Sequence, residues 1–203
     1  MTPAFEHRII FVRHGQTSYN LENRLQGQRD VPLDGAGREQ ARAIGRYLRA
    51  AMGRDIATIE AGGRFWASPL ARTRETMELA RDAMGLPPQP YRLDARLKEL
   101  TFGVWEGLTW AEVWARDPSG AKAREADKWT FAPPGGESYQ MLTERVKPWL
   151  AGLDGETFLV AHGGVARAFF ALLVGMPTAQ AAAAPIWQGR ALIFDKGAAE
   201  WVG

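Results

Sequence analysis

Apolar and polar positions along the chain alternate between short strand-like runs and longer helical stripes. Arg8–Val12 is a brief apolar run with β-branched residues and predicts a buried strand. Residues 13–33 are polar and glycine-containing, and predict a loop with a single helical turn. Asp34 is placed to N-cap a helix running to Met52, with Ile44, Tyr47, Leu48 and Ala51 on one face. Gly53 suits the end of that helix. Arg64–Ala67 predicts a second strand, and Ser68-Pro69 predicts the next helix start, with serine as N-cap and proline at the first helical position. This helix reaches Met84, ahead of Gly85 and Pro87-Pro88.

Residues 101–136 are less regular. Phe102, Trp105, Trp110, Trp114, Trp129 and Phe131 stand there among glycines, prolines and charges, with a helix predicted over Thr109–Arg116. Pro133-Pro134-Gly135-Gly136 breaks the pattern, and a helix follows from Glu137 with Leu142, Val146, Trp149 and Leu150 on its apolar face. Pro148 conflicts with that face and predicts a kink or an early end. Thr157–Ala161 predicts a strand, and Val165–Val174 a helix ended by Gly175 and Pro177. Arg190–Phe194 and Glu200–Val202 predict a closing hairpin. Strands alternating with helices predict an α/β fold around a mostly parallel sheet.

Composition narrows the function classes. A chain of 203 residues is one large domain or, as the weaker alternative, two small ones. A net charge of +2 without a basic stripe argues against nucleic-acid binding. No apolar run approaches the ~18 residues of a membrane helix. Met1–Glu6 carries no leader pattern. With no cysteine in the chain, disulfides, thiolate catalysis and Cys-ligated zinc are excluded, and a cytoplasmic enzyme is the default expectation.

Two of the three histidines share one local pattern. Phe11-Val12-Arg13-His14-Gly15 and Leu159-Val160-Ala161-His162-Gly163-Gly164 each close a predicted strand with histidine followed by glycine. The carboxyl ends of parallel strands lie on one edge of a sheet, where such folds bind ligands. Ser68-Pro69-Leu70-Ala71-Arg72 makes a third turn on that edge. A glycine after each histidine lets the backbone approach a ligand closely. Arg72 falls in the first helical turn, where free N–H groups and the helix dipole favour an anion, and a guanidinium fork matches phosphate oxygens. Two imidazoles with arginines point to phosphate capture and phosphoryl transfer to nitrogen. Taken alone, His14 reads better as a satisfied core histidine, His162 reads equally as core or site, and Arg72 also reads as a solvated helix arginine.

Arg13-His14-Gly15-Gln16-Thr17, with Asn20, Gln26-Gly27 and Asp30-Val31-Pro32-Leu33 behind it, resembles the opening of the histidine phosphatase superfamily, the phosphoglycerate-mutase-like enzymes. Ser68–Thr73, then Leu97-Lys98-Glu99 with Phe102-Gly103-Val104-Trp105-Glu106-Gly107, then Ala161–Gly164, resemble that family's later motifs in family order. The resemblance spans roughly the whole chain. It implies a three-layer α/β/α sandwich with a mostly parallel central sheet, phosphoglycerate mutase-like, formed by a single domain over 1–203 with a cap-like irregular segment at about 101–136. It also implies that His14 is the nucleophile and becomes phosphohistidine. Arg13, Arg72 and His162 would hold the phosphoryl oxygens. Glu99 would be the general acid and then the base, although nearby Glu106 competes for that assignment. Asn20, Gln26, Gly27 and Gly163 would line the phosphate pocket. No metal and no cofactor are implied.

The implied activity is hydrolysis of a small-molecule phosphomonoester. The alternatives are a cofactor-dependent phosphoglycerate mutase and a non-catalytic phospho-ligand binding module. Three departures favour the phosphatase over the mutase: Trp110 stands near the mutases' lysine, Gly164 in place of their asparagine, and Gln16 in place of their glutamate. The tryptophans from 105 to 129 read either as packing for the cap or as a wall for the organic part of the substrate, which would favour a bulky or apolar leaving group over a small acidic one. His7 reads as a strand-edge residue. The substrate's identity and the oligomeric state, a homodimer included, stay open.

Overall fold

A computed structural model describes residues 7–203, so Met1–Glu6 and the expectation about a leader lie outside the described residues. The strands are β1 (Ile9–Arg13), β2 (Phe65–Ala67), β3 (Arg92–Leu93), β4 (Thr157–Ala161), β5 (Ala191–Asp195) and β6 (Ala198–Val202). They form a six-stranded sheet in the order β3-β2-β4-β1-β5-β6. The first four positions of that order run parallel, while β5 and β6 form the expected antiparallel hairpin at the other edge. The helices are α1 (Ser18–Leu21), α2 (Gly35–Ala61), α3 (Ala71–Met84), α4 (Trp110–Arg116), α5 (Pro118–Ala126), α6 (Tyr139–Ala151), α7 (Gly163–Leu173) and α8 (Thr178–Ala183).

The period-two alternation of β1 divides the core. Ile9 and Phe11 pack with Leu142, Trp149 and Phe169 from α6 and α7 on one face. Ile10 and Val12 pack with Ile44, Leu48 and Met77 from α2 and α3 on the other. Central strands buried on both faces explain why Ile9–Val12 of β1 and Phe158–Ala161 of β4 are continuous apolar runs, rather than alternating. A third, smaller cluster of Leu25, Trp105, Val113 and Ala121 holds the 101–136 segment together.

Several local expectations are corrected. The helix predicted to stop at Gly53 continues to Ala61, with a kink at Met52 (φ −137°, ψ 31°). Ile56 and Ile59 prolong the apolar stripe past the glycine, and their burial outweighs its weak helix propensity. Ser68 does not cap α3; the helix begins at Ala71 after Leu70, without a side-chain cap. Pro148 neither ends nor breaks α6, which runs to Ala151. The proline lies on the exposed face, where solvent can serve the carbonyl left without its helical donor. The sequence reading missed α5, although Asp117-Pro118 is an N-cap and first-turn signal and the Asp117 carboxylate accepts from Gly120 N at 2.8 Å. It also missed β3 and α8. His7 lies in a bend ahead of β1 and is not on a strand.

What the fold does for the site is set by register. β4 lies between β1 and β2, all three parallel. The ladder extends one residue beyond the strands: His14 N donates to Ala161 O at 3.0 Å, and Ser68 N to Val160 O at 3.1 Å. Residues 14, 68 and 162 therefore emerge side by side from one edge of the sheet.

Candidate active site

His14 and His162 follow neighbouring strands, and their ring centroids are 5.3 Å apart. Nδ1 of His14 lies 2.8 Å from the carbonyl oxygen of Gly15. A carbonyl only accepts, so Nδ1 carries the hydrogen and Nε2 keeps its lone pair. Burial, then the positive charges of Arg72 and Arg13, hold the His14 imidazole well below its ordinary pKa and keep it neutral at pH 7. The ring is thus in the state that a nitrogen nucleophile requires.

His162 is held the same way electrostatically, by burial first and then by Arg72, His14 and Arg13. Its Nε2 lies 2.8 Å from Ser68 Oγ. That hydroxyl also accepts from Leu70 N at 3.4 Å. The other ring nitrogen, Nδ1, is buried without a protein partner. The sequence pattern makes Ser68 a helix cap; its hydroxyl instead holds the His162 ring.

The two arginines are anchored at one edge and carry spare donors. Arg13 Nη1 donates to Ile186 O at 2.8 Å. Arg72 Nη1 and Nη2 donate to Arg29 O and Gly27 O at 2.7 and 2.8 Å. The Nε of each is buried and unpartnered. Burial pushes Arg13 down to about 10, against the opposing charge of Glu99, and it stays a cation at neutral pH. The loop over residues 26–29 thus does structural work for Arg72 as well as lining the pocket.

Glu99 comes from the loop after the short helical turn Ala95–Leu97. Its carboxylate accepts from Gly164 N at 3.0 and 3.1 Å and from Leu100 N at 2.9 Å, at the start of α7. A Cβ at position 164 would stand 2.1 Å from Glu99 Oε1, so Gly164 makes room for this carboxylate. Glu106 serves a different end: its Oε1 accepts from Gln28 N, Thr101 Oγ1 and Phe102 N and ties two loops together. The glycines after the histidines also differ. A Cβ on Gly163 would meet Arg167, Arg13 and Glu99 at 3.3 to 4.0 Å, on the cavity side. A Cβ on Gly15 would strike Gly37 O at 2.3 Å, so that glycine answers to helix packing and not to a ligand, contrary to the sequence reading.

These groups enclose a cavity of about 170 Å³. Arg13, His14, Asn20, Gln26, Gly27, Arg72, Glu99 and Gly163 are on its wall, which leaves His162 as the one expected residue that is not. His162 is packed beside the His14 ring instead of lining the wall directly. Arg24, Phe102 and Arg167 also face the cavity and were not foreseen. Arg167 had a signal, since it stands one turn along α7 from Gly163 and shares its face. Among the described residues no group of three or more His, Asp or Glu side chains could hold a metal ion. No helix there is long and apolar enough to cross a membrane.

Comparison with known proteins gives this geometry a context. The glucosyl-3-phosphoglycerate phosphatase of Mycobacterium tuberculosis is 35% identical over 185 residues, covering 85% of this chain and 77% of that protein. The 2,3-bisphosphoglycerate-dependent phosphoglycerate mutase of a Methylobacterium species is 32% identical over 202 residues, covering 93% and 91%. A solved mycobacterial glucosyl-3-phosphoglycerate phosphatase in complex with VO3 superposes with a TM-score of 0.77 at 32% identity, over 97% of this chain and 96% of that one. The family model for the histidine phosphatase superfamily (branch 1) matches residues 9–198, and the chain belongs to that family.

Proposed function

We propose that this chain hydrolyses small phosphomonoesters through a phosphohistidine on His14. The observation that carries the reading is the state of that ring. It is neutral, its Nδ1 hydrogen is donated to the Gly15 carbonyl, and its free Nε2 belongs to a cavity with two arginines on the wall. Phosphoryl oxygens binding there meet the spare donors of Arg13 and Arg72, with His162 packed beside the His14 ring. The nitrogen attacks phosphorus in line, the phosphorus–oxygen bond to the alcohol breaks, and Glu99 delivers a proton to the leaving oxygen. In the second step Glu99 takes a proton from water, which attacks the phosphohistidine and releases inorganic phosphate. The charge that Mg²⁺ neutralises in other phosphoryl transfers falls here to fixed guanidinium groups.

Relatives carry both names, phosphatase and mutase. Hydrolysis is favoured because Trp110 stands near the mutases' lysine and Gly164 replaces their asparagine. Turnover of p-nitrophenyl phosphate with release of inorganic phosphate tests the reading. Acid-labile phosphate should appear on residue 14 during turnover, and His14→Ala should lower kcat by ~10⁴-fold or more, the scale seen when a covalent nucleophile is removed. Full activity in that variant defeats the proposal. Formation of 2-phosphoglycerate from 3-phosphoglycerate with 2,3-bisphosphoglycerate, faster than phosphate release, assigns the chain to the mutases.

A further inference from the structure

The turn Pro133-Pro134-Gly135-Gly136 and the glutamate after it have no part in the chemistry above, yet they pack against the loop that carries Glu99. A Cβ on Gly136 would stand 2.7 Å from Thr101 O, and one on Gly103 would stand 2.1 Å from Pro134 O. Gly103 also lies in the left-handed region, at φ +56°. The two segments thus meet backbone to backbone. Glu137 N donates to Thr101 O at 2.8 Å, and the Glu137 carboxylate accepts from Thr101 N at 3.3 Å.

Arg145, from α6, completes the join. Its Nε and Nη2 donate to the two oxygens of Glu137 at 3.0 and 2.8 Å, a two-pronged ion pair. Its Nη1 donates to Arg96 O at 2.7 Å and to Lys98 O at 3.1 Å, and Nη2 also donates to Glu99 O at 3.4 Å. A guanidinium has five N–H groups, and these contacts use all of them. Gln28 Nε2 is a second donor to Glu99 O, at 3.1 Å. A lysine at 145 could pair with Glu137 but has no planar fork with which to gather three carbonyls, so the arginine answers to the loop as well as to the charge.

That loop needs holding. Residues 98–102 belong to no helix or strand. Leu97 and Leu100 anchor the loop in the core, and Glu99 between them reaches the cavity wall. The Glu99 carboxylate meets the backbone N–H groups of Gly164 and Leu100, so its place depends on where the loop backbone lies. Neither Arg145 nor Glu137 is on the cavity wall.

We infer that Arg145 and Glu137 are positioning residues for the hydrolysis: they hold the 96–101 loop so that the Glu99 carboxyl stays within reach of the leaving oxygen. The inference rests on the phosphatase reading and deepens it. In the first step a bond forms between His14 Nε2 and phosphorus, the phosphorus–oxygen bond breaks, and the Glu99 proton passes to that oxygen. In the second, the oxygen of water bonds to phosphorus, the nitrogen leaves with the bonding pair, and a proton of water returns to Glu99. Both proton transfers fail with distance, and a displacement of ~1 Å costs about 100-fold in rate.

The test uses phenyl phosphates of similar shape whose para substituent runs from nitro to methoxy. p-Nitrophenolate leaves readily without a proton, whereas p-methoxyphenolate depends more on the acid. Arg145→Lys and Glu137→Gln should each lower kcat/KM on the methoxy ester roughly tenfold more than on the nitro ester. With the nitro ester, acid-labile phosphate on residue 14 should rise in the steady state, because the second step still needs Glu99 as base. Glu99→Gln should show both signs more strongly, with a split of ~100-fold. A purely structural pair would lower every ester by one factor, the folded fraction, and leave the phosphorylated share of the folded chain unchanged. Should Arg145→Lys fail to fold by circular dichroism, Glu137→Gln decides. Equal losses across the series, or none, with Glu99→Gln keeping its split, overturn the inference and leave the phosphatase standing. A Glu99→Gln chain without the split removes the acid from that reading, and the inference with it. Inactivity of the native chain on every ester, with no acid-labile phosphate, removes the phosphatase reading itself.

Discussion

Single atoms carry the strongest statements about this site. Asn20 Oδ1 accepts from Thr17 N at 3.1 Å, from Thr17 Oγ1 at 3.1 Å and from Gln188 Nε2 at 3.0 Å. Three donors on one oxygen fix the amide's orientation, and Asn20 lines the cavity, so its NH₂ is the end left for a phosphoryl oxygen. Asn20→Asp keeps the acceptor but puts a negative oxygen where the donor was. We expect KM for a phosphomonoester to rise roughly tenfold or more with a smaller change in kcat, measured by steady-state kinetics. Ser68→Ala asks a different question, because it removes the group that holds the His162 ring. We expect kcat to fall by about 10-fold to 100-fold while KM stays within about twofold, since a misplaced ring costs the transition state more than the bound ester. An unchanged kcat would deny Ser68 that role. Sequence pattern named both residues but assigned Ser68 the wrong partner, because a serine before proline looks the same whether its hydroxyl meets a helix N–H or a distant imidazole.

Among the elements, legibility followed how strongly burial agrees with local pattern. β1, β4 and the end of α3 read well because periodicity, length and punctuation coincide; Gly85, in the left-handed region at φ +80°, ends α3 where expected. Where a local signal opposed packing, packing won. Gly53 and Pro148 each announce a helix end, yet both sit on exposed surface while neighbouring positions bury Ile56, Ile59 or Trp149. The Met52–Gly53 kink is the residue of that conflict. A Cβ on Gly53 would meet nothing within 4 Å, so the position can take a better helix former without strain. We expect Gly53→Ala to raise unfolding free energy by about 0.5–1 kcal/mol, read by denaturant titration, without altering turnover. A loss of stability would mean that the kink needs the glycine.

Across the whole molecule, the site was legible because three of its parts sit at strand ends that the α/β pattern already places together. Arg24, Phe102 and Arg167 were not legible as one group, since they come from three distant stretches of the chain that only the fold brings to the same cavity. The same convergence has a thermodynamic signature. His14 and His162 are buried and held well below the ordinary histidine value in the folded chain. In the unfolded chain both regain a pKa near 6.5. Above that pH neither state binds a proton on these rings, and stability does not depend on them. As pH falls below about 6.5 the unfolded chain takes up two protons that the folded chain refuses. Stability must then drop by up to about 2.7 kcal/mol per pH unit, until the folded rings titrate in turn. Thermal unfolding between pH 7.5 and 5.5 should show this loss. Replacing both histidines with asparagine should flatten the dependence over that window. Inorganic phosphate at about 100 times its Kd should restore about 2.7 kcal/mol in the native chain, and much less in Arg72→Met. A native chain whose stability is level from pH 7.5 to 5.5 would mean that the two imidazoles are not buried neutral in solution. The free lone pair of the proposed nucleophile would lose its physical basis.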